Sequence, residues 1–403
     1  MEALVVTSVE TAQVWEQDGV AGGEVREMIG AVDETFLAQM ILVFQDVSTG
    51  YMVQEEVADD RTYATWKALV DERLQALGTS VLSMVSDRAK ALIQLAEHGF
   101  ECLSMPDFFP FMHDMVKNYS LALGRRVRPA QQELLVAQEA LARLQGRPQA
   151  AYETPAAEAL VATRHTEVTR WEAAHHTSRH HLETLSLTLH PFRLADAAPQ
   201  TSAQVESHLH AAVEAIEGLA QAHQVPVRHA AITTVRKQLP ALAALVDFWW
   251  AGVRQDVAHA AISPMWGQWA EEVLLPLVSW EHQVAHTRCA RRKATIRHAL
   301  EAMQGALSHH ALTQCLPPQA LKEWHVWATQ RAKAFQRTSS AVEGRNGYLS
   351  HMHHHHRGLP KQRYKVWTAL HNVDCRAADG TTPASRFFRR TFPDLFETVL
   401  AHI

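Results

Sequence analysis

The sequence has few cysteines, and no two of them form a CxxC pair. Only four occur in 403 residues, and they are widely spaced: Cys102, Cys289, Cys315 and Cys375. A small fold held together by disulfides would carry more cysteines at closer spacing. We therefore expect a cytoplasmic protein, kept in a reducing compartment, whose fold depends on its hydrophobic core.

The sequence also lacks a secretory signal and a long apolar run. Acidic residues (Glu2, Glu10) occur near the N-terminus, where a signal peptide would need a basic start followed by an apolar stretch. No apolar run approaches the roughly 20 residues that cross a bilayer. The apolar fraction of 47% and the charged fraction of 20% are ordinary for a globular protein. We expect neither secretion nor contact with a membrane.

Basic residues are slightly fewer than acidic ones, which gives a net charge of −5. The basic residues are unevenly distributed along the chain. Residues 286–403 hold 18 of the 38 Lys and Arg but only 7 of the 43 Asp and Glu. A basic segment joined to an acidic body suits a surface that meets phosphate groups. A solvated basic helix face would give the same count, so charge alone leaves both interpretations open.

Hydrophobic patterning predicts an α/β region over the first 105 residues, in the order β-β-β-α-β-α-β. This order differs from the strict alternation of a doubly wound sheet, and it predicts a mixed five-stranded sheet. The expected strands are Glu27–Phe36, Gln39–Gln45, Tyr51–Val57, Val81–Ser86 and Phe100–Met105. The expected helices are Thr62–Leu77 and Arg88–His98.

From about Pro106 to Gln336 the pattern is helical almost throughout. The expected helices are Pro129–Leu144, Pro155–Leu187, Ser202–His223, Val227–Val257, Pro264–Leu307 and Pro318–Gln336, the first two forming an antiparallel hairpin. Mixed character returns afterwards, with one helix from about Ser340. We predict an N-terminal extension (1–26), a first part of an α/β core (27–125), an all-helical insertion (126–336) and a last part of the core with a basic tail (337–403).

Two aspartates follow apolar strands. Asp33 lies towards the end of the first predicted strand, and Asp87 comes directly after the fourth. Paired metal ions about 3.5–4 Å apart are a common device for cutting phosphodiesters, and Mg²⁺ prefers such carboxylate oxygens. Each aspartate alone has a simpler explanation, since Asp87 could cap a helix and Asp33 could end a strand.

The segments around these aspartates resemble the start of the ribonuclease-H-like domain in DDE transposases of bacterial insertion sequences. The similar segments are VDETF, FQDVSTGYMVQEEV and MVSDRAKAL, which begin at Val32, Phe44 and Met84. TSSAVEGRN, from Thr338, is similar to the third family motif, a helix-borne Glu in an N/S-x-x-E-G-x-N setting. LSHMHHHHRGLPKQRYKVW resembles the basic tail of that motif. The resemblance covers residues 27–117 and 337–403.

By motif position, the resemblance implies that Asp33, Asp87 and Glu343 hold two Mg²⁺ or Mn²⁺ ions. One ion would activate water or a 3′-hydroxyl, and the other would stabilise the leaving oxygen. The implied reaction is strand cleavage at transposon ends followed by strand transfer into target DNA. The implied partners are double-stranded DNA and a second copy of the chain, with which it would form a homodimer on that DNA. The implied location is the bacterial cytoplasm, at the nucleoid.

Several alternatives stay open around this triad. Ser340-x-x-Glu343 is also a capping box, in which the glutamate serves only its helix. Asp46 is a rival for the first position, although its DVSTG sequence favours a turn. Glu34 should face the opposite side of the strand from Asp33. His113 follows the fifth strand, where some of these transposases place a His or Cys that supports the site.

Basic residues near the third motif and the C-terminus are the candidates for DNA-backbone contacts. They are Arg345, Arg357, Lys361, Arg363, Lys365, Arg386, Arg389 and Arg390. In some related transposases, a helical insertion also contacts transposon-end DNA and assists a hairpin intermediate. His282, His286 and Cys289 share a helical face at a zinc-compatible spacing, with no evident fourth ligand.

Family members usually carry a helix-turn-helix region ahead of the core, and the segment before Asp33 is too short for one. A truncated or inactive chain that only binds DNA therefore stays open beside the enzyme, as does a helical scaffold protein. Metal-dependent nicking of DNA would distinguish the enzyme from an inactive DNA-binding chain. Close proximity of the carboxylates of Asp33, Asp87 and Glu343 would distinguish it from a helical scaffold protein.

Overall fold

A computed structural model of the chain describes residues 2–21, 25–37, 39–145, 152–226, 229–335, 340–355, 363–377 and 380–401. The chain divides into two compact units. The first comprises Met1–Phe109 with Lys333–Ile403, and the second comprises Pro110–Ala332. The helical unit thus starts at Pro110, whereas the predicted insertion starts at residue 126. Within the described residues, no helix is both long and apolar enough to span a bilayer.

The first unit contains a mixed five-stranded sheet, as the sequence predicts. Its strands are β1 (Arg26–Phe36), β2 (Met40–Asp46), β3 (Met52–Ala58), β4 (Thr79–Ser86) and β5 (Leu103–Pro106). The strand order is β3-β2-β1-β4-β5. Strand β2 pairs antiparallel with both β1 and β3. Strand β4 pairs parallel with β1, and β5 pairs parallel with β4.

Helices make up most of the remaining described chain. In chain order they are α1 (Glu2–Val20), α2 (Tyr63–Leu77), α3 (Lys90–Gln94), α4 (Phe108–Met115), α5 (Leu121–Gln145), α6 (Thr154–Thr188), α7 (Ser202–Ala222), α8 (His229–His259), α9 (Pro264–Trp269), α10 (Leu275–His286), α11 (Ala290–His309), α12 (Ala311–Cys315), α13 (Pro318–Ala334), α14 (Ser340–His355), α15 (Arg363–Val373), α16 (Pro383–Phe387) and α17 (Leu395–Leu400). Three short π-helical segments lie after α3, α4 and α9.

Alternation along the strands gives the sheet two apolar faces. One face buries residues such as Phe44 against Trp66 of α2. The other buries Ala31 and Val43 against Val342 and Leu349 of α14. Helix α14 therefore packs on the sheet although its sequence lies far from the strands, and this contact positions the candidate site.

Two helical predictions differ from the structure. The segment Pro264–Leu307 is not one helix, because extended backbone at Thr287 and Cys289 separates α10 from α11. The N-terminal extension holds α1, which the sequence analysis did not predict. That helix packs against α2, α15 and α17 within the first unit.

Candidate active site

Three aspartates lie side by side at one edge of the sheet. The parallel pairing of β1, β4 and β5 ends just before Asp33, Asp87 and Asp107, and its register makes these residues level with one another. Carboxyl ends of neighbouring parallel strands meet at the same edge of a sheet, which is where α/β proteins bind ligands. Two of these three are the aspartates that the sequence singled out.

Asp33 faces helix α14. Its antiparallel partner on β2 is Val43, which packs in the apolar cluster that contains Val342 and Leu349 of that helix. Glu34 is paired with Leu42, which belongs to the opposite apolar face. Strand alternation therefore separates Asp33 from Glu34, as expected from the sequence.

Helix α14 brings a polar face to Asp33. The side-chain amide of Asn346 donates to Oδ2 of Asp33 at 2.7 Å, across 313 residues of sequence. Glu343 lies three residues earlier in the first turn of the same helix. Residues three apart share a helix face, so Glu343 also belongs to this side of α14.

The carboxylates act on one another electrostatically. Burial raises the pKa of Asp33, and the charges of Asp87 and Asp107 raise it further, against hydrogen bonds from Glu34 N–H and Asn346 that lower it. Burial likewise raises the pKa of Glu343, and Asp107 and Asp33 add to the rise. We refer to these four residues, Asp33, Asp87, Asp107 and Glu343, as the acidic group.

The donor chemistry of this acidic group fits a divalent cation. Hard carboxylate oxygens are the ligands that Mg²⁺ and Mn²⁺ prefer, and a cation would relieve the repulsion that raises these pKa values. Across the part of the chain that the structure describes, no three His, Cys, Asp or Glu side chains stand close enough to share one ion. A site in which three of these carboxylates share one ion would require the side chains to move closer together.

Asp87 does not cap the helix that follows it. The N-cap of α3 is Ala89, which makes no side-chain capping bond, so the N-cap alternative for Asp87 is wrong. Asp87 is exposed, and its Oδ1 accepts from the N–H of Ala89 at 2.8 Å. Arg88 between them has a φ of 62°, a left-handed conformation that is uncommon for a residue with a side chain. Such backbone strain is concentrated at functional sites.

Asp107 is the acidic residue that the sequence analysis missed. It is 4% exposed and its Oδ1 accepts from the N–H of Phe109 at 2.7 Å, at the start of α4. The predicted fifth strand ended at Met105 and a helical region began at about Pro106, so Asp107 was not considered as an acidic residue at a strand end. Its position directly after a strand was the available signal, and it is the same signal that identified Asp87.

Asp46, the rival for the first position, serves the turn between β2 and β3. Its carboxylate is buried and accepts from the N–H groups of Ser48 at 3.4 Å and Thr49 at 3.0 Å, and from the Thr49 hydroxyl. These bonds form the turn that the DVSTG sequence favoured. We leave Asp46 out of the site. The capping-box alternative for Glu343 depends on the Ser340 side chain, which lies outside the described part of the structure.

Arg345 is not on the surface. It is 5% exposed, and its Nε and Nη2 donate to the two carboxylate oxygens of buried Glu55 at 3.1 and 2.7 Å. The Thr368 hydroxyl also donates to Glu55. A guanidinium committed in this way cannot reach a phosphate, so we correct its assignment: Arg345 anchors α14 to β3.

Arg386 is half-buried. Its Nε and Nη2 donate to the carbonyl of Thr49 at 2.9 and 2.7 Å, and its Nη1 donates to Thr381. These bonds hold the turn between β2 and β3, and a contact of Arg386 with DNA stays a prediction.

Other basic candidates remain available at the surface. Lys365 and Arg389 are exposed, the former 3.5 Å from Glu56. Arg390 is exposed and donates to the carbonyl of Asp18 at 2.7 Å. The remaining candidates, Arg357, Lys361 and the side chain of Arg363, lie outside the described part of the structure.

Two further assignments concern the helical unit. His113 is exposed on α4, and its supporting role stays a prediction. In the zinc-compatible set, Nδ1 of His286 is 2.8 Å from the carbonyl of His282, and Cys289 lies 3.9 Å from Glu183. These residues do not form a metal-holding group in the described structure.

Comparison with protein families shows a similarity over the last third of the chain. A family of unknown function (DUF6399) matches residues 270–403, about a third of the chain. The matched part includes α14 with Glu343 and Asn346, and the basic C-terminal segment. No curated protein and no solved structure matches the chain. The chain is therefore similar, over its last third, to a family whose function is itself unassigned.

Proposed function

We propose that the first unit is a ribonuclease-H-like core and that the protein is a DDE-type DNA transposase. The strand order β3-β2-β1-β4-β5, in which β2 alone runs antiparallel to the other four strands, supports this fold. The observation that carries the proposal is the bond between Asn346 and Asp33. It joins the helix of Glu343 to the first strand, on the face where the aspartates lie.

In this proposal, Asp33, Asp87 and Glu343 hold two divalent cations, with Asp107 adding negative charge beside them. When bound, the ions supply the positive charge that polarises a scissile phosphate and lowers the pKa of the attacking water or 3′-hydroxyl. The sheet edge fixes Asp33, and α14 brings Glu343 to it. The residues of this chain thus provide the ligands and their orientation.

The proposed substrate is double-stranded DNA, cut at element ends and then joined through its 3′-hydroxyl to a target. Exposed Lys365, Arg389 and Arg390 are the proposed contacts to its phosphates.

A DNA-binding protein without catalysis is the second candidate. The observation that favours it is the separation of the carboxylates, since no three of them in the described structure can share an ion. Such a protein would keep its affinity for DNA and would show no metal-dependent cleavage.

The experiment is a cleavage assay with Mg²⁺ or Mn²⁺ on DNA that carries the sequences flanking the gene. We expect nicking by the wild-type protein, and a loss of more than about a thousandfold in Asp33→Ala, Asp87→Ala and Glu343→Ala. Asp59→Asn, an exposed acid of the same unit, is the matched control and should cut like wild type. Cleavage that survives Asp33→Ala contradicts the mechanism, and binding without cleavage favours the second candidate.

A further inference from the structure

The Asn346 side chain is fixed in one orientation by its surroundings. Its Nδ2 lies 2.7 Å from Oδ2 of Asp33. A flipped amide would place its oxygen against the carboxylate, and two acceptors repel one another, so the donor must face Asp33. In the described structure its Oδ1 is buried and has no hydrogen-bond partner. Burying an acceptor without a hydrogen bond lowers the stability of the fold. The amide nevertheless keeps this orientation, in which its nitrogen donates to Asp33.

The second oxygen of Asp33 is fixed as well. Its Oδ1 accepts from the N–H of Glu34 at 2.9 Å. One hydrogen bond therefore comes from the strand itself and the other from α14. Together they hold the plane of the carboxylate, and each oxygen keeps a further lone pair for another ligand.

The helix that carries Asn346 is itself anchored. The neighbouring Arg345 forms its two-point ion pair with buried Glu55, and both side chains are nearly inaccessible. Val342 and Leu349 pack the same helix against the sheet. The Asn346 amide is therefore presented to Asp33 by a fixed support, unlike a side chain at the end of a loop.

We propose that Asn346 is a positioning residue, which orients the Asp33 carboxylate for the cation by donating a hydrogen bond to Oδ2. This inference rests on the proposed metal-dependent function, and it assigns a role to Asn346, the final Asn of the third motif, from its hydrogen bond to Asp33. Partners that orient a metal ligand change metal affinity by about 10- to 100-fold when they are removed. Asn346 does not contact the ion in this account, since its nitrogen faces Asp33.

The first test measures Mn²⁺ binding to the full chain by calorimetry, without DNA. Asn346→Ala should weaken Mn²⁺ binding about 10- to 100-fold. Asn118→Ala removes an asparagine of the other unit whose side-chain amide donates to the Asp114 carbonyl at 2.8 Å, and it should bind like wild type. Equal affinity of wild type and Asn346→Ala overturns the inference. Failure of wild type to cut DNA, with the affinity difference intact, would overturn the proposed function alone.

A second measurement needs no metal. In a double-mutant cycle, Asp33→Ala and Asn346→Ala should have non-additive effects on the urea midpoint, because each removes the same hydrogen bond. Additive effects would show that the bond is not formed in solution and would overturn the inference even if no Mn²⁺ bound. Asn346→Asp distinguishes a hydrogen-bond donor to Asp33 from a ligand of the cation. The aspartate side chain has the same shape as asparagine but cannot donate a hydrogen bond when ionised. It should cleave DNA at least about tenfold more slowly, and wild-type cleavage would instead make residue 346 a ligand.

Discussion

At the scale of single residues, the ion pair between Arg345 and Glu55 is the strongest anchor of the candidate site. Both side chains are buried and two hydrogen bonds join them. Arg345→Ala leaves a buried charge without a partner, so we expect it to lower the free energy of unfolding by about 3–5 kcal/mol. Urea unfolding measures this loss.

The control is an ion pair at the surface. Lys365 lies 3.5 Å from Glu56, and Lys365→Ala should change the free energy of unfolding by less than about 1 kcal/mol. Arg345→Lys should fall between the two, because lysine keeps the charge but loses the two-point geometry. An Arg345→Ala variant as stable as Lys365→Ala would contradict the buried pairing.

The acidic group predicts a pH effect on stability. Raised pKa values in the folded state mean that folding favours the protonated carboxyls, so stability falls as the pH rises from the ordinary carboxyl range through the raised values. In EDTA at pH 7, Glu343→Gln should therefore raise the melting temperature. Below the ordinary pKa of glutamate the difference should vanish.

Saturating Mg²⁺ should also remove that advantage, because the cation then stabilises the ionised wild type. Differential scanning calorimetry checks both conditions. A Glu343→Gln variant that melts at or below the wild-type temperature in EDTA at pH 7 would show that the glutamate is not repelled by its neighbours.

Residue patterns and the family resemblance together nominated the candidates for this site. The DVSTG sequence correctly indicated that Asp46 belongs to a turn, whereas the roles of Asp33 and Asp87 stay predictions. The burial of Arg345 was not predictable, because its partner Glu55 is 290 residues away in sequence. A basic residue beside a motif has no local signal that separates an anchor from a DNA contact.

At the scale of elements, the sheet was predictable from its strand sequences. Their residues either alternate between apolar and polar or are continuously apolar. Bounds of β1 and β2 differ from the prediction by one residue. The helix α1 was missed because its apolar residues do not follow a helical stripe, and its packing depends on partners at the far end of the chain, α15 and α17. The residues near α1 in sequence carry no information about such long-range contacts.

The ring of Phe44 on β2 lies close to the backbone of Gly30 on β1. A Cβ added there would lie 2.4–2.7 Å from the ring of Phe44, which is buried. Gly30→Ala should therefore lower the free energy of unfolding by about 1–3 kcal/mol, because the core must shift to admit the methyl group. Thermal or urea unfolding measures this change.

The matched control is Gly305→Ala in α11, where no atom lies within 4 Å of the added Cβ. This change should stabilise the protein by up to about 1 kcal/mol, since alanine favours a helix more than glycine does. Equal effects of the two substitutions would mean that the Phe44 ring does not pack against Gly30.

At the scale of the whole molecule, the charge asymmetry predicts how DNA binding responds to salt. The affinity should fall steeply with ionic strength, and Lys365→Ala and Arg389→Ala should each lower the slope of log affinity against log salt by about one. Lys67→Ala, whose ammonium pairs with Asp71 on α2, should leave the slope unchanged. Slopes that do not change in the first two variants would exclude those residues as phosphate contacts.

The sequence predicted a change from a mixed to a helical pattern, and the bounds of the predicted insertion stay a prediction. The prediction placed the change at residue 126, whereas α4 already belongs mostly to the unit that starts at Pro110. Helical periodicity cannot distinguish a helix that ends one unit from a helix that begins the next, because both bury one face.

The most direct test of the account is a crystal structure of the protein grown with Mn²⁺, with the ion located by its anomalous scattering. We expect Mn²⁺ bound by carboxylate oxygens of Asp33, Asp87 and Glu343, at ligand distances of about 2.0–2.2 Å. Mn²⁺ absent from this sheet edge at saturating concentration, with Glu343 turned away from Asp33, would contradict the metal site and the proposed transposase with it.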